Sequence, residues 1–554
     1  MIRLVRSRET LLLFLILVLG ACLRFSALRW GLATPEMPHT PFHPDETWVA
    51  GCLSQINIST FHFNPDNAHR EGTLCYYIWT LVALVLRGLG FIHTLPYQFN
   101  PTGQDMALFL KVARAVNQCL DLGSVALVFL ILKRITSSRV APLIGALVLA
   151  VFPFEIIHGI YLRTHVPGNF FMLLVVYFSL EIYSRKVLTK RYIGFLGILC
   201  GLATAARYTS AVVLVVPWSI LVYRRWSESG RSQALWRFLL PPELKRLSGF
   251  WIIGLFLGDP FLFIRFDHAR KHLMAQASYT DTGQFGSLSS FLEVSKLFEY
   301  FTYLIPYGAL PALWVVLYSS SAYLIFKRKY HQYTLPLFLL LVVYLYPMAK
   351  GYLRGVANIR AAIFTFPIFA IFSGLAIGEW FRVLHGRLFS QFALGTAIGV
   401  ILLGSVFYDA AYLKAMILPD PREQVYSYIK VKALEKPLVI ATKHQNPDYL
   451  QLNRVLEGKI PIGRITYVEP KDLAQAKSVD YVLLSAEEVD SISDMEKKSD
   501  ELVRTGKFKL EKRFESELSF LGVKFNYKRN PVDLQFPLPV FFLLRPVSEH
   551  ASFD

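Results

Sequence analysis

Residues 140–154 read VAPLIGALVLAVFPF, an apolar run without one charged side chain. The pattern recurs at 10–23 (TLLLFLILVLGACL), 212–221 (VVLVVPWSIL) and 335–346 (LPLFLLLVVYLY). A bilayer span needs roughly 20 mostly apolar residues, and the chain offers about eleven such stretches. Composition agrees. Of 554 residues, 54% are hydrophobic and 18% charged, and the mean hydropathy is +0.40. A soluble domain carries about 45–50% apolar and about 25% charged residues. The sequence therefore predicts an α-helical polytopic membrane protein.

The net charge of +18 is spread over short loops between apolar runs, not over one polar face. That distribution writes membrane topology and argues against nucleic acid as a partner. Arg3, Arg6 and Arg8 place the amino terminus in the cytoplasm. The first run is read as an uncleaved signal-anchor despite its lipoprotein-like Leu19-Gly20-Ala21-Cys22. Later basic loops fall at 133–139, 185–191, 224–246, 327–329 and 382–387. If 74–91 crossed the bilayer, all of these would face outward. If it lies along the outer leaflet, all face inward. Residues 31–104 are thus expected to be one outer loop with interfacial helices, and Trp79, Tyr76 and Tyr77 suit the headgroup region. Further spans are expected at 105–133, 141–159, 166–183, 192–206, 209–223, 247–264, 300–326, 335–349, 361–380 and 392–412.

After Pro419-Asp420-Pro421 polar and apolar residues mix, with strand-like runs at 437–441 (PLVIA) and 479–484 (VDYVLL). The expectation is a transmembrane domain over 1–415 and a small external α/β domain over 416–554. Cys119 and Cys200 read as small core residues, and Cys52 and Cys75 as a pair able to join on the oxidising side.

In this topology the ionisable residues collect at the outer ends of spans. They are Asp45, Glu46, Arg114, His158, Arg163, His165, Arg207, Asp259, Arg265, His268, Lys350, Arg354 and Arg360. Positive-inside bias should deplete Arg and Lys there. Their persistence suits a pocket for an anionic lipid headgroup, since the Arg fork donates in parallel to phosphate. The other half of the chemistry is Phe42-His43-Pro44-Asp45-Glu46-Thr47-Trp48. Phosphate is already a good leaving group, so its displacement from a sugar carbon needs one carboxylate to take the acceptor's proton. That set predicts inversion at the anomeric carbon, without the carboxylate pair of glycoside hydrolases. The same acids also suit the first turn of a helix.

Several segments resemble the GT-C glycosyltransferases that use dolichyl- or undecaprenyl-phosphate sugars, in particular the protein mannosyltransferase and aminoarabinose transferase superfamily (glycosyltransferase family 39-like). His43-Pro44-Asp45-Glu46 is similar to that family's acidic motif, which implies Asp45 as the base and Glu46 beside it. Asn64-Pro65 with Leu74-Cys75-Tyr76-Tyr77 resembles its interfacial stretch. Arg114, the segment Gly201-Leu-Ala-Thr-Ala-Ala-Arg207-Tyr208, Gly258-Asp259-Pro260-Phe261 and Arg360 before Pro367 resemble later motifs in order. The likeness covers roughly the first 380 residues. Two departures stand out. His165 replaces a second acid, with Arg163 just before it, and Ala361 replaces a Tyr.

The resemblance implies a polyprenyl-phosphate-linked sugar as donor, with its phosphate among Arg114, Arg207, Arg354 and Arg360 and its chain among membrane lipids. His43 is read with His158, Arg163, His165, Tyr208, Asp259 and Lys350 as donor-binding. No cofactor is expected; His43, His158 and His165 lack metal-ligand spacing, and a divalent metal stays open. Other readings are a transporter or flippase for lipid-linked sugar and a non-catalytic binder. Ionisable residues that avoid the bilayer midplane argue against transport. The acceptor (glycan, lipid or protein) and the sugar stay open. The expected location is a bacterial inner membrane, with the site outside.

Overall fold

A computed structural model describes residues 7–34, 41–100, 103–185, 187–229, 240–280, 302, 310–352, 359–435, 438–442, 465–468, 479–485, 492–526 and 537–547. They form two compact units. The first is Met1–Phe25, Trp48–Phe99 and Val112–Asp409; the second is Ser26–Thr47, Asn100–Lys111 and Ala410–Asp554. Residues 26–47 and 100–111 thus group with the tail, whereas the sequence division fell at 415/416.

Among the helices are α1 (Ser7–Phe25), α2 (Pro44–Leu53), α3 (Leu74–Gly88), α4 (Gln104–Ile135), α5 (Val140–Ala150), α6 (Pro153–Gly159), α7 (His165–Ser184), α8 (Lys190–Ala206), α9 (Val215–Ser229) and α10 (Pro242–Gly258). Helices at Pro311–Phe326, His331–Tyr352, Phe366–Val383 and Leu388–Ile417 follow. By length and composition four are able to cross a membrane: Gln104–Ile135, His165–Ser184, Ala362–Val383 and Leu388–Ala433. The pair α5 and α6, bent by 48°, makes a fifth. The chain is an integral membrane protein by these helices, although among the described residues fewer than the expected about eleven meet the test. α3 has 15 residues. At 1.5 Å rise it reaches about 22 Å, short of the roughly 30 Å hydrocarbon core.

In the first unit the centre is Phe366–Val383, buried at every position from Phe366 to Glu379. By contrast Phe389, Phe392, Val400 and Leu403 stand exposed. An exposed apolar face costs little where the solvent is lipid. α8 packs on α10 through two glycine pairs, Gly197 with Gly201 and Gly254 with Gly258, each spaced by four. A Cβ at Gly201 would lie 2.3 Å from the Trp251 carbonyl oxygen, and one at Gly254 2.3 Å from that of Ile198. Only glycine lets the backbones approach so closely.

Ion pairs gather the basic helix ends. Glu9 meets Lys133 at 2.6 Å and Arg139 at 3.7 Å. Glu181 meets Arg134 and Arg185, each at 2.9 Å. The start of α1, the end of α4 and the start of α5 therefore share one end of the unit.

Three expectations are corrected. Trp79 and Tyr76 are fully buried instead of lying at a headgroup surface. The indole N–H finds its partner inside, donating to Asn117 Oδ1 at 3.0 Å. Cys119 is exposed where a core residue was expected. Cys52 and Cys75 are free thiols, both buried, and do not pair.

The strands of the second unit are β1 (Leu438–Thr442), β2 (Ile465–Val468), β3 (Tyr481–Ser485), β4 (Phe508–Phe514), β5 (Ser519–Phe520), β6 (Val523–Lys524) and β7 (Phe541–Pro546). Five of them form a sheet in the order β2-β1-β3-β7-β4, and β5 with β6 makes an antiparallel pair of its own. β1 runs parallel to β2 and β3, while β7 is antiparallel to β3 and β4. Val425, Ile429 and Ala433 of the helix Pro421–Glu435 pack with Leu438, Ile440, Leu483 and Leu543. Both strand-like runs of the tail lie in this sheet. Arg422 sits over the Phe42 ring at 4.9 Å and pairs with Asp420 at 3.0 Å. Phe42 meets Trp30 edge-on at 6.0 Å, which anchors the stretch leading into His43.

Candidate anion site and acidic motif

The loop before α3 is fixed by its backbone. Gly72 has φ +117°, and a Cβ there would stand 2.4 Å from the Ala205 carbonyl oxygen, so only glycine fits. Glu71 C=O accepts from Tyr208 N–H at 2.8 Å. Thr73 Oγ1 donates to Gly258 C=O at 3.1 Å. The loop is thereby held against the ends of α8 and α10.

These contacts carry the Glu71 carboxylate between two guanidinium groups. Arg163 Nη2 lies 3.5 Å from Glu71 Oε1, and Arg207 Nη1 4.0 Å from Oε2. The Thr164 hydroxyl donates to Glu71 Oε2 at 2.8 Å and accepts from Arg207 Nη1 at 2.8 Å. Arg207 stands at the end of α8, where the backbone turns extended. Arg163 precedes α7, and its C=O accepts from Asn117 Nδ2 at 3.0 Å.

His165 opens α7 within the electrostatic reach of Arg207, Arg163, His158 and Arg360. His158 ends α6, stacked on Phe154 at 5.3 Å and edge-on to His165 at 5.1 Å. Four of the predicted residues, Arg163, Arg207, His158 and Arg360, thus lie within the electrostatic reach of a fifth, His165. The three guanidinium groups among them, buried or half-buried, suit an anion.

Tyr208 and Asp259 form a brace beside it. The Tyr208 hydroxyl donates to Asp259 Oδ2. Asp259 is fully buried, with His69 Nδ1 at 3.7 Å, and His69 Nε2 meets Asn64 Oδ1 at 2.9 Å. Burial first, and the Asp259 carboxylate next, push the Tyr208 phenol above its ordinary value and keep it a donor. Arg265 and His268 belong elsewhere, 3.9 and 3.6 Å from Asp66 Oδ1. Arg354 and the side chain of Lys350 lie outside the described residues.

Arg114 is fully buried in α4. It begins a stripe with Asn117, Gln118 and Asp121, all wholly buried at i, i+3, i+4 and i+7. Asp121 pairs with Arg24 Nε at 2.5 Å, and Arg24 also donates to the Ala150 and Leu149 carbonyls at 2.7 and 3.2 Å. Glu155 and Asp409 are fully buried and within the electrostatic reach of Arg24. Ionisable residues thus do enter the candidate spans, which corrects the expectation that they keep to helix ends.

In the second unit, Asp45 and Glu46 occupy the first turn of α2. Glu46 is fully buried, whereas the Asp45 side chain is 26% exposed, with His43 Nδ1 3.8 Å from its carboxylate. Asp45 N–H donates to His43 Nδ1 at 3.2 Å, which places the neutral ring's proton on Nε2. Glu46 N–H donates to His43 C=O at 3.0 Å. Among the described residues, no three His, Cys, Asp or Glu side chains stand together as a metal-binding group.

Sequence reasoning missed Glu71, Arg24, Asp121 and Asn117. Glu71 gave no local signal. The α4 stripe was readable as four polar residues at helical spacing in an apolar run.

No protein-family model and no curated protein matches the chain. It is similar to solved structures. The Archaeoglobus fulgidus oligosaccharyltransferase in complex with Zn and sulfate is 13% identical, with 88% of this chain and 70% of that one covered and a TM-score of 0.45. ArnT from Cupriavidus metallidurans in the apo state is 13% identical, with 97% and 98% covered and a TM-score of 0.46. The S. cerevisiae protein O-mannosyltransferase Pmt1-Pmt2 complex bound to the sugar donor is 18% identical, with 48% and 35% covered and a TM-score of 0.36. All three are GT-C family glycosyltransferases, the class that the motifs of this sequence resemble.

Proposed function

We propose that the chain is an inverting glycosyltransferase that moves a sugar from a polyprenyl-phosphate carrier to an acceptor at the outer membrane face, most simply that of a bacterial inner membrane. The observation that carries it is the pairing of Arg163 and Arg207 with one carboxylate, that of Glu71, beside His165, which lies within the electrostatic reach of both and of Arg360. Their role is to hold the carrier's phosphate. Asp45 is the base: the acceptor oxygen bonds to the anomeric carbon, the bond from that carbon to the phosphate oxygen breaks, and Asp45 takes the hydroxyl proton. Polyprenyl phosphate leaves. Buried Glu46 tunes the acidic motif.

The test is turnover of a panel of polyprenyl-phosphate sugars by the purified chain, read as release of polyprenyl phosphate. Asp45→Asn should lower it by about 10²–10⁴-fold. Unchanged turnover in a folded variant would remove Asp45 from this role. A lipid-linked-sugar transporter is the second reading, favoured by the buried Arg24–Asp121 pair. It predicts movement of the intact lipid across vesicles without release of polyprenyl phosphate.

A further inference from the structure

Glu71 is held in place for a reason that its own ion pairs do not supply. Its backbone is tied to Tyr208, and the next residue, Gly72, leaves no room for a Cβ against Ala205. The carboxylate nevertheless meets its two cations at 3.5 and 4.0 Å. Strong Arg–carboxylate forks close to about 2.7–2.9 Å. Thr164 takes a closer contact, 2.8 Å, through a hydroxyl that also accepts from Arg207. Two guanidinium groups thus share one carboxylate, and neither closes a tight fork on it.

We propose that Glu71 is the resident counter-ion of the phosphate subsite, a positioning residue that keeps Arg163 and Arg207 apart and yields them to the carrier's phosphate. The inference rests on the functional reading above and deepens it. A phosphate monoester or diester offers more oxygens in a wider spread than one carboxylate, so it suits both forks at once. Before binding, the carboxylate offsets the charge of two cations in a half-buried site. On binding, its charge opposes the phosphate. Its presence therefore weakens ground-state affinity and favours departure of polyprenyl phosphate.

The experiment is equilibrium binding of a short-chain polyprenyl phosphate, with the matching neutral polyprenol as control, to the full chain in detergent. Glu71→Gln keeps the shape and an acceptor for Thr164 but removes the charge. It should tighten binding of the phosphate about three- to tenfold and leave the polyprenol unchanged. Glu71→Asp draws the charge back by one methylene and should fall between Gln and wild type; it serves alone if Glu71→Gln does not fold. Wild-type binding with no tightening in either variant, or a loss of affinity, would overturn the counter-ion role and leave the functional reading standing. Equal affinity of the wild type for phosphate and polyprenol would instead overturn the functional reading itself.

Discussion

Arg24 and Asp121 form an ion pair with both side chains fully buried, Nε to Oδ2 at 2.5 Å, joining α1 to α4. Removing one partner strands the other charge in an apolar interior, at a cost of about 3–5 kcal/mol. Arg24→Met should cost more than Asp121→Leu, because the Leu149 and Ala150 carbonyls lose their donor as well. The double variant should recover part of the loss. Thermal unfolding of the two single variants and the double in detergent measures the coupling directly.

The contact of α8 with α10 gives a steric prediction. Gly201→Ala places a methyl 2.3 Å from the Trp251 carbonyl oxygen and should destabilise by about 1–3 kcal/mol, as overpacking does. Gly249→Ala, with nothing within 4 Å, should be neutral or stabilise by about 0.5–1 kcal/mol through helix propensity. Equal melting temperatures for the two variants would contradict the packing.

Burial pushes the Cys52 and Cys75 thiols well above their ordinary values, with the Glu71 charge as the second cause. A raised thiol holds its proton as pH rises, so thiolate stays scarce. Maleimide labelling of these two should not accelerate between about pH 7 and 9, where an ordinary thiol of pKa about 8.5 ionises. Peptide mass spectrometry in folded and unfolded protein separates this from simple oxidation.

Arg207 touches Thr164, Thr209 and the Glu71 carboxylate through its guanidinium nitrogens. A lysine cannot reproduce that fork. Arg207→Lys should therefore bind polyprenyl phosphate about as poorly as Arg207→Ala, with a loss of about tenfold or more in Kd for each. Full rescue by lysine would mean that only net charge matters there.

Much of the helical architecture was legible because apolar runs record burial or lipid exposure locally. The runs at 140–154 and 335–346 both fall in helices, and the tail's two strand-like runs fall in one sheet. Trp79 misled because an indole suits a headgroup region and a buried polar contact equally well, and its partner Asn117 lies 38 residues away. Arg163 and Arg207 drew attention in the sequence because a guanidinium charge is costly near a membrane wherever it sits. Glu71 did not. One acid in a polar loop has no pattern until the fold brings α7 and α8 to it.

The bend of 48° between α5 and α6 has a consequence for how this protein can change length over time. Phe152 stacks on Phe366 at 4.3 Å, and farther along the chain His158 meets His165. One codon inserted within α6, between Pro153 and His158, would turn His158 by about 100° and carry it off its neighbours. Insertions should therefore be purged from this short stretch, while the basic loops absorb them freely. A deep-mutational library of single-residue insertions would register the bend as a narrow trough of lost function.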